Sequence, residues 1–381
     1  MKILVLDTEG SAKPCIDPFN PRSKMYYIGL DDGHNYYDYP VEYLDSPYGE
    51  RLAQVQERIE KADILVGANP KYDFHMFRRY GLQFGHKMCW DVLLCQFILN
   101  HQTTPYTSLN AVALHYGLGQ KLDVVKTEYW DKGLDTNQVP QELLQEYLKQ
   151  DVQLTKQTYL LQMAEVLRRG ILPLIRVHMA DLLMLEEMEW NGNLYDCEGS
   201  RHAAAVELWN IRSLKRELCS LSPIRPRKWS TDFLSNLLYG GEYKYKIKEK
   251  YTFTYKDGST KEKEHWVAMV ETLPRLCEPP KQERKKEGFW STDEDTLKKL
   301  KTKGTATKIV KCLLLMREKE KQVGTYYKGF PKKIELSEWE NSLIHSNYNQ
   351  GVAVTGRLSS DKPNVQNNPP AQKPFFISRY Q

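Results

Sequence analysis

The chain opens with an apolar run, Ile3-Leu4-Val5-Leu6, that ends in two carboxylates one residue apart, Asp7 and Glu9. Such a run reads as a strand, and residues two apart on a strand share a face. Two acids on one face at the end of an otherwise apolar strand do not serve packing. Further acids follow in order, in Asn69-Pro-Lys-Tyr-Asp73 and Tyr147-Leu-Lys-Gln-Asp151. If these carboxylates converge, repulsion and desolvation raise their pKa values unless divalent cations neutralise them. The pattern points to a two-metal site and to phosphodiester hydrolysis.

At 381 residues the chain has room for two or three domains with cores of their own. It has no run of about eighteen apolar residues, so neither a transmembrane helix nor a membrane partner is expected. The N-terminal apolar stretch is short and runs into acids, unlike a signal peptide. The seven cysteines form no close CxxC pair and read as free thiols of a reducing cytosol, so the expected location is cytoplasmic. The net charge of +5 hides a split: residues 1–165 carry 16 Lys/Arg against 22 Asp/Glu, and residues 166–381 carry 38 against 27. An acidic catalytic part joined to a basic part suits a nuclease that concentrates divalent metal and holds a polyanion. A solvated basic surface without a partner fits the same counts.

The first 165 residues read as mixed α/β, with strands at 2–6, 25–30 and 64–67. Helical spacing occurs at 51–61, 74–80, 91–100 and 107–116, and a long helix from 141 to 168 ends at Gly170, an αL cap. Alternating elements around a leading acidic strand suit an RNase H-like mixed sheet flanked by helices. Helices are expected again at 171–190, 201–221 and 230–238, the last capped by Ser230 or Thr231. Residues 241–272 alternate aromatic and polar side chains around the turn Lys256-Asp257-Gly258-Ser259, a β-hairpin pattern. The segment 279–288 is rich in Pro, Lys and Glu and reads as a loop, before helices at 292–302 and 305–321.

Hard divalent cations prefer the oxygen ligands that Asp and Glu supply. One ion lowers the pKa of water and a second, roughly 4 Å away, stabilises the leaving oxygen. Asp7 is placed to bridge both ions and Glu9 to hold the hydroxide-generating one, while Asp73 presents its carboxylate from a helix start. Tyr147 and Asp151 are i, i+4 neighbours on one helix face. With an ordinary pKa near 10, the Tyr147 phenol orients the attacking water rather than deprotonating it. Each short pattern is weak alone: Asp196-Cys-Glu198, Asn191-Gly-Asn-Leu-Tyr-Asp196 and Tyr27-Ile-Gly-Leu-Asp31 imitate the three, without their context. Asp91 precedes an apolar helical run and reads as its N-cap rather than a metal ligand. The histidines His75, His101 and His115 form no spaced ligand cluster.

Asp7-Thr-Glu9, Asn69-x-x-Tyr72-Asp73 and Tyr147-x-x-x-Asp151 resemble the three motifs of the tyrosine-bearing subclass of DEDD-superfamily exonucleases. Their spacing is similar to that of the proofreading 3′–5′ exonuclease domain of family A DNA polymerases. The segment Leu185–Asp196 resembles the entry to that family's thumb, and Trp229–Gly240 the stretch that follows it. Tyr348-Asn-Gln-Gly-Val-Ala-Val-Thr-Gly-Arg-Leu-Ser-Ser360 with Pro363-Asn-Val-Gln-Asn-Asn-Pro369 is similar to the family's T-G-R-L-S-S…P-N-L-Q-N-I-P run. The resemblance covers nearly the whole chain apart from 241–290.

The resemblance implies an exonuclease domain over 1–168, a mainly helical thumb over 169–335 with the hairpin insertion, and the first edge of a palm over 336–381. It implies a proofreading 3′–5′ exodeoxyribonuclease with two Mg²⁺ or Mn²⁺ ions held by Asp7, Glu9, Asp73 and Asp151, and Tyr147 at the water. It also implies DNA contacts, at a single-stranded 3′ end or a primer–template, for Thr8, Asn69, Thr355, Arg357, Ser359 and Asn364, with Arg357 suited to fork onto phosphate. In the family the first palm aspartate follows shortly after the position of Phe375-Phe-Ile-Ser-Arg-Tyr-Gln381, so no polymerisation is expected of these residues alone. Two accounts fit: a split polymerase whose palm and fingers are a separate chain docking around 335–381, or a truncated product that acts only as an exonuclease or is a remnant. The layout is similar to virus-type polymerases, which would place the protein in a bacterial host cytoplasm. Exposed surface at Phe375, Phe376 and Ile377 is expected to lower solubility without such a partner. The rival readings are a non-catalytic DNA-binding and assembly subunit, and an RNA-trimming nuclease of the same superfamily.

Overall fold

The leading acidic strand runs from Ile3 to Gly10 (β1) in a computed structural model that describes residues 1–12, 16–104, 108–119, 123–224, 229–281 and 288–379. Asp7 and Glu9 therefore lie within the strand rather than beyond its end. With β2 (Met25–Asp31), β3 (Tyr36–Pro40), β4 (Ile64–Gly67) and β5 (Met88–Asp91), it builds a five-stranded sheet in the order β3-β2-β1-β4-β5. The β3, β2 and β1 pairings are antiparallel, and those of β1 with β4 and β4 with β5 are parallel. Helices α1 (Gly49–Lys61), α2 (Lys71–Arg79), α3 (Val92–Leu99), α4 (Leu109–His115), α5 (Gln141–Arg169) and α6 (Leu172–Asn191) flank it, followed by the short strand β6 (Asn193–Leu194). The architecture is a mixed α/β fold with a central sheet. Strands β3 and β5 had no sequence expectation. The first is Tyr-Tyr-Asp-Tyr-Pro, without an apolar alternation, and the second is only Met-Cys-Trp-Asp.

Contacts divide the chain into two units, Met1–Cys197 with Phe330–Gln381, and Glu198–Gly329. The boundary read after residue 168 falls just before Gly170, which caps α5 at φ 69° as expected, and both α5 and α6 belong to the first unit. Helix α5 covers the face of the sheet that carries Asp7 and Glu9. On that face Gly29 pairs with Asp7, and a Cβ built on it would lie 2.8 Å from Leu148 Cγ and 3.1 Å from Val152 Cγ2. Glycine there lets the helix settle close to the strands. Gly29→Ala is expected to destabilise the unit by about 1–3 kcal/mol through overpacking, read as a lower urea midpoint.

The second unit holds α7 (Cys197–Leu221, whose first residue belongs to the first unit), α8 (Thr231–Tyr239), the hairpin β7 (Gly241–Thr254) with β8 (Thr260–Leu273), α9 (Glu294–Lys299) and α10 (Thr305–Lys321). Ser230 caps α8 by accepting the Phe233 N–H at 3.2 Å. The hairpin has the expected turn, and its register puts Lys244, Lys246, Lys248 and Lys250 on one face and Tyr243, Tyr245, Ile247 and Tyr251 on the other. Lys248 and Lys250 pair with Glu264 and Glu262 of the opposite strand, so part of that lysine face is neutralised internally. Most of the loop read at 279–288 lies outside the described residues.

The chain returns to the first unit with α11 (Gly329–Ser337), β9 (Leu343–Ile344) pairing with β6, and β10 (Asn347–Asn349) pairing with β11 (Ser359–Asp361). Phe375 and Phe376 are half-buried rather than open: Phe376 packs edge-on against Tyr195 and Phe330, and Phe375 leans on Tyr195. Their exposure was an expectation from chain position, and contacts with distant aromatics overturn it. Ile377 remains exposed. Among the described residues no helix is long and apolar enough to cross a membrane.

Candidate active site

Alternation along β1 sends Asp7 and Glu9 to the α5 side and Thr8 to the other. Tyr147 and Asp151 lie one helical turn apart on α5, nearly buried, and bring the second set of groups to the same place. Carboxylate oxygens of Asp7, Glu9 and Asp151 all lie within 4.8 Å of one another. Asp73 is outside that trio. It stands in the first turn of α2, where its Oδ1 accepts the Thr8 hydroxyl at 2.6 Å. Burial pushes the Asp73 carboxyl up to about 7, against the pull of the Thr8 hydrogen bonds. Thr8 thus serves a carboxylate, a role that its reading as a DNA contact did not include.

Hard oxygen donors crowded to this degree suit divalent cations such as Mg²⁺ or Mn²⁺, whose charge offsets the repulsion and the desolvation. The donor set and its burial fit the expected metal.

The surroundings fix the phenol. Trp130 packs edge-on against Tyr147, ring centroids 5.7 Å apart. The Trp130 indole N–H donates to the Thr136 hydroxyl at 3.1 Å, which donates to the Gly10 carbonyl at 2.7 Å. Asp135 accepts the Ala12 N–H and the Tyr26 hydroxyl. The segment 130–136 is therefore pinned to the C-terminal end of β1. Tyr72 comes so close to Gly10 that a Cβ there would meet its hydroxyl at 2.2 Å, so the close approach requires glycine.

Tyr36 on β3 is a neighbour that the sequence reading missed. Burial, and then the negative charges of Asp38, Asp7 and Glu9, hold its phenol far above the usual range. Its only sequence signal was the Tyr-Tyr-Asp-Tyr clustering. Asp91 behaves as an N-cap: fully buried, it accepts the Leu93 N–H at 2.9 Å and the Asn69 N–H at 3.0 Å. Asp31, in one of the imitating patterns, pairs with Lys156 at 2.8 Å.

Thr8 apart, the residues read as DNA contacts are mostly exposed. Asn69 is exposed in a left-handed turn at φ 59°. Thr355 and Arg357 are exposed, and Ser359 is half-buried on β11. Asn364 is exposed, and its side-chain oxygen accepts the N–H groups of Gln366 and Asn367, each at 3.1 Å, which builds the local turn.

A family model described as DNA polymerase family A matches residues 261–377. The DNA polymerase I of Synechocystis sp. is 25% identical over 327 residues, covering 79% of this chain and 26% of that protein. The DNA polymerase I of Bacillus subtilis is 36% identical over 80 residues, and the DNA polymerase of Bacillus phage SP01 is 35% identical over 82, each covering 8% of the relative. The chain thus spans about a quarter or less of the curated relatives it matches. In fold it is similar to the POL domain of Pol1 from M. smegmatis, solved with DNA primer-template and dNTP, at a TM-score of 0.64 and 15% identity, over 96% of this chain and 52% of that one.

Proposed function

We propose that this chain, which is similar to family A DNA polymerases, carries in its first unit a metal-dependent 3′–5′ exonuclease acting on the 3′ end of DNA. The reading is carried by one observation: Asp7, Glu9 and Asp151 bring carboxylate oxygens within 4.8 Å of one another beside a nearly buried tyrosine. Divalent cations held there supply water activation and neutralise the charge that develops on the leaving oxygen. Asp7, Glu9 and Asp151 would hold them, and Asp73, braced by Thr8 outside that trio, would be the fourth ligand. Tyr147, fixed by Trp130, offers its hydroxyl to the attacking water, which it orients toward the terminal phosphodiester.

In this reading the unit Glu198–Gly329 acts as a thumb with its hairpin, and the segment 336–381 of the first unit acts as the edge of a palm, each a DNA-contacting part. Arg357 and Thr355 are exposed and free to meet phosphate and sugar. That the structural relative was solved with a primer-template supports a DNA substrate over RNA.

The test is release of nucleotides from 3′-labelled single-stranded DNA in Mg²⁺ against EDTA. Metal-dependent release, faster on DNA than on RNA, is expected. A folded protein that binds the 3′ end without releasing nucleotides would replace this reading with a DNA-holding subunit. Tyr147→Phe keeps the ring and the ligands, so its rate should fall roughly 100-fold, the lower end of the range for proton-handling groups, with metal dependence unchanged.

A further inference from the structure

Lys71, His75 and Arg78 recur at i, i+4 and i+7, so they form one stripe along α2. That stripe lies on the acids of α6. Lys71 Nζ donates to Glu189 Oε1 at 2.5 Å, and His75 Nε2 lies 2.9 Å from Glu189 Oε2. The other ring nitrogen of His75 is 3.2 Å from Glu186 Oε1. Arg78 forks onto both oxygens of Glu186, at 2.7 and 3.0 Å, and reaches Glu187 as well. Glu186, Glu189 and His75 are almost wholly buried.

Glu189 does more than pair with cations. It also accepts the backbone N–H of Tyr348 on β10, while Lys71 donates to the Tyr348 carbonyl at 2.6 Å. One carboxylate therefore joins α2, α6 and β10. Buried charges persist only where they are fully paired, so such a junction tolerates one arrangement of its members.

Helix α2 has nine residues, too few to be stable by itself, so what grips it sets its place. Its other flank carries Asp73, two residues after Lys71 and two before His75, with the carboxylate on Thr8 of β1. The cation stripe holds one side of the helix, and Asp73 on the other side ties it to β1 through Thr8.

We propose that Glu189 is a positioning residue for the metal site, locking α2, and with it Asp73, onto β1 in a register set by the strand 347–349. This rests on the exonuclease reading. Glu189 acts through the helix, by way of Lys71 and His75.

The test uses the full chain, with Glu189→Gln and Lys71→Gln beside wild type and Asp7→Ala. Mn²⁺ binding is measured without DNA, by the electron paramagnetic resonance signal of free Mn²⁺, and nucleotide release is followed as Mn²⁺ is varied. Both clamp variants should show Mn²⁺ affinity weakened about 10-fold, the lower end for lost outer-shell support, with the KM for the DNA 3′ end unchanged. A role in stability alone would leave the Mn²⁺ affinity of the folded variant as in wild type. If Glu189→Gln does not fold, Lys71→Gln, whose ammonium sits at the rim of the junction, carries the test. Unchanged Mn²⁺ affinity in a folded clamp variant, with active wild type, overturns the positioning role alone. Wild type that neither binds Mn²⁺ through Asp7 nor releases nucleotides overturns the exonuclease reading and this inference with it.

Discussion

Asp7→Ala is expected to lower metal-dependent nucleotide release by at least about 10³-fold, equivalent to roughly 4 kcal/mol of transition-state stabilisation. The size follows from where Asp7 stands. It is one of three carboxylates whose oxygens lie within 4.8 Å, on the central strand, so its loss removes a ligand that neither neighbour can replace without leaving its own position. The cost falls on the charged transition state rather than on DNA binding, which the exposed Thr355 and Arg357 would still support. Single-turnover release from a 3′-labelled strand, alongside binding of the same strand in EDTA, separates these effects. Release that persists in Asp7→Ala at the wild-type rate would place the chemistry elsewhere.

Glu186→Ala is expected to have the largest effect on stability, about 3–5 kcal/mol, because it breaks a buried charge network from one side. Glu186 is buried and accepts two hydrogen bonds from Arg78, and the His75 ring lies 3.2 Å from it. Alanine leaves the Arg78 guanidinium and the His75 ring together without their shared anion. Burial favours the neutral His75 ring, yet Glu186 and Glu189 together raise its pKa, so the truncation removes a partner on which the cation depends. Urea unfolding followed by the tryptophan signal should show the midpoint fall sharply. The double variant Glu186→Leu with Arg78→Met, apolar at both positions, should recover much of the loss. A single variant as stable as wild type would mean that water reaches the junction.

Much of the first unit could be read directly from residue order. The run Ile3–Leu6 makes a strand, the spacing from 141 to 168 makes one long helix, and Gly170 caps it where its chemistry says it should, as Ser230 does for α8 in the second unit. Asp91 was legible as an N-cap because an apolar helical run follows it directly. Strand β3 was not legible: its tyrosines and aspartate carry no apolar period, and it is a strand because β2, buried along its whole length, offers an edge to pair with. The hairpin at 241–273 was legible from alternation and its turn, but not the pairing of its lysines with Glu262 and Glu264, which depends on register.

By itself the sequence determined which residues can do chemistry, through local rules: a two-residue period sends Asp7 and Glu9 to one face, and a four-residue period sets Tyr147 beside Asp151. The i, i+4, i+7 spacing also sets Lys71, His75 and Arg78 on one stripe, though nothing in the sequence marked it out until its partners were seen. Only the tertiary structure decided what each set meets. It brought Asp151 to the two strand acids, handed Asp73 to Thr8, and gave the cation stripe three glutamates and a strand from near the far end of the chain. Those partners stand 65 to 277 residues away along the chain. Separations of that kind are settled by burial and charge pairing across the whole unit, which no short window of sequence contains.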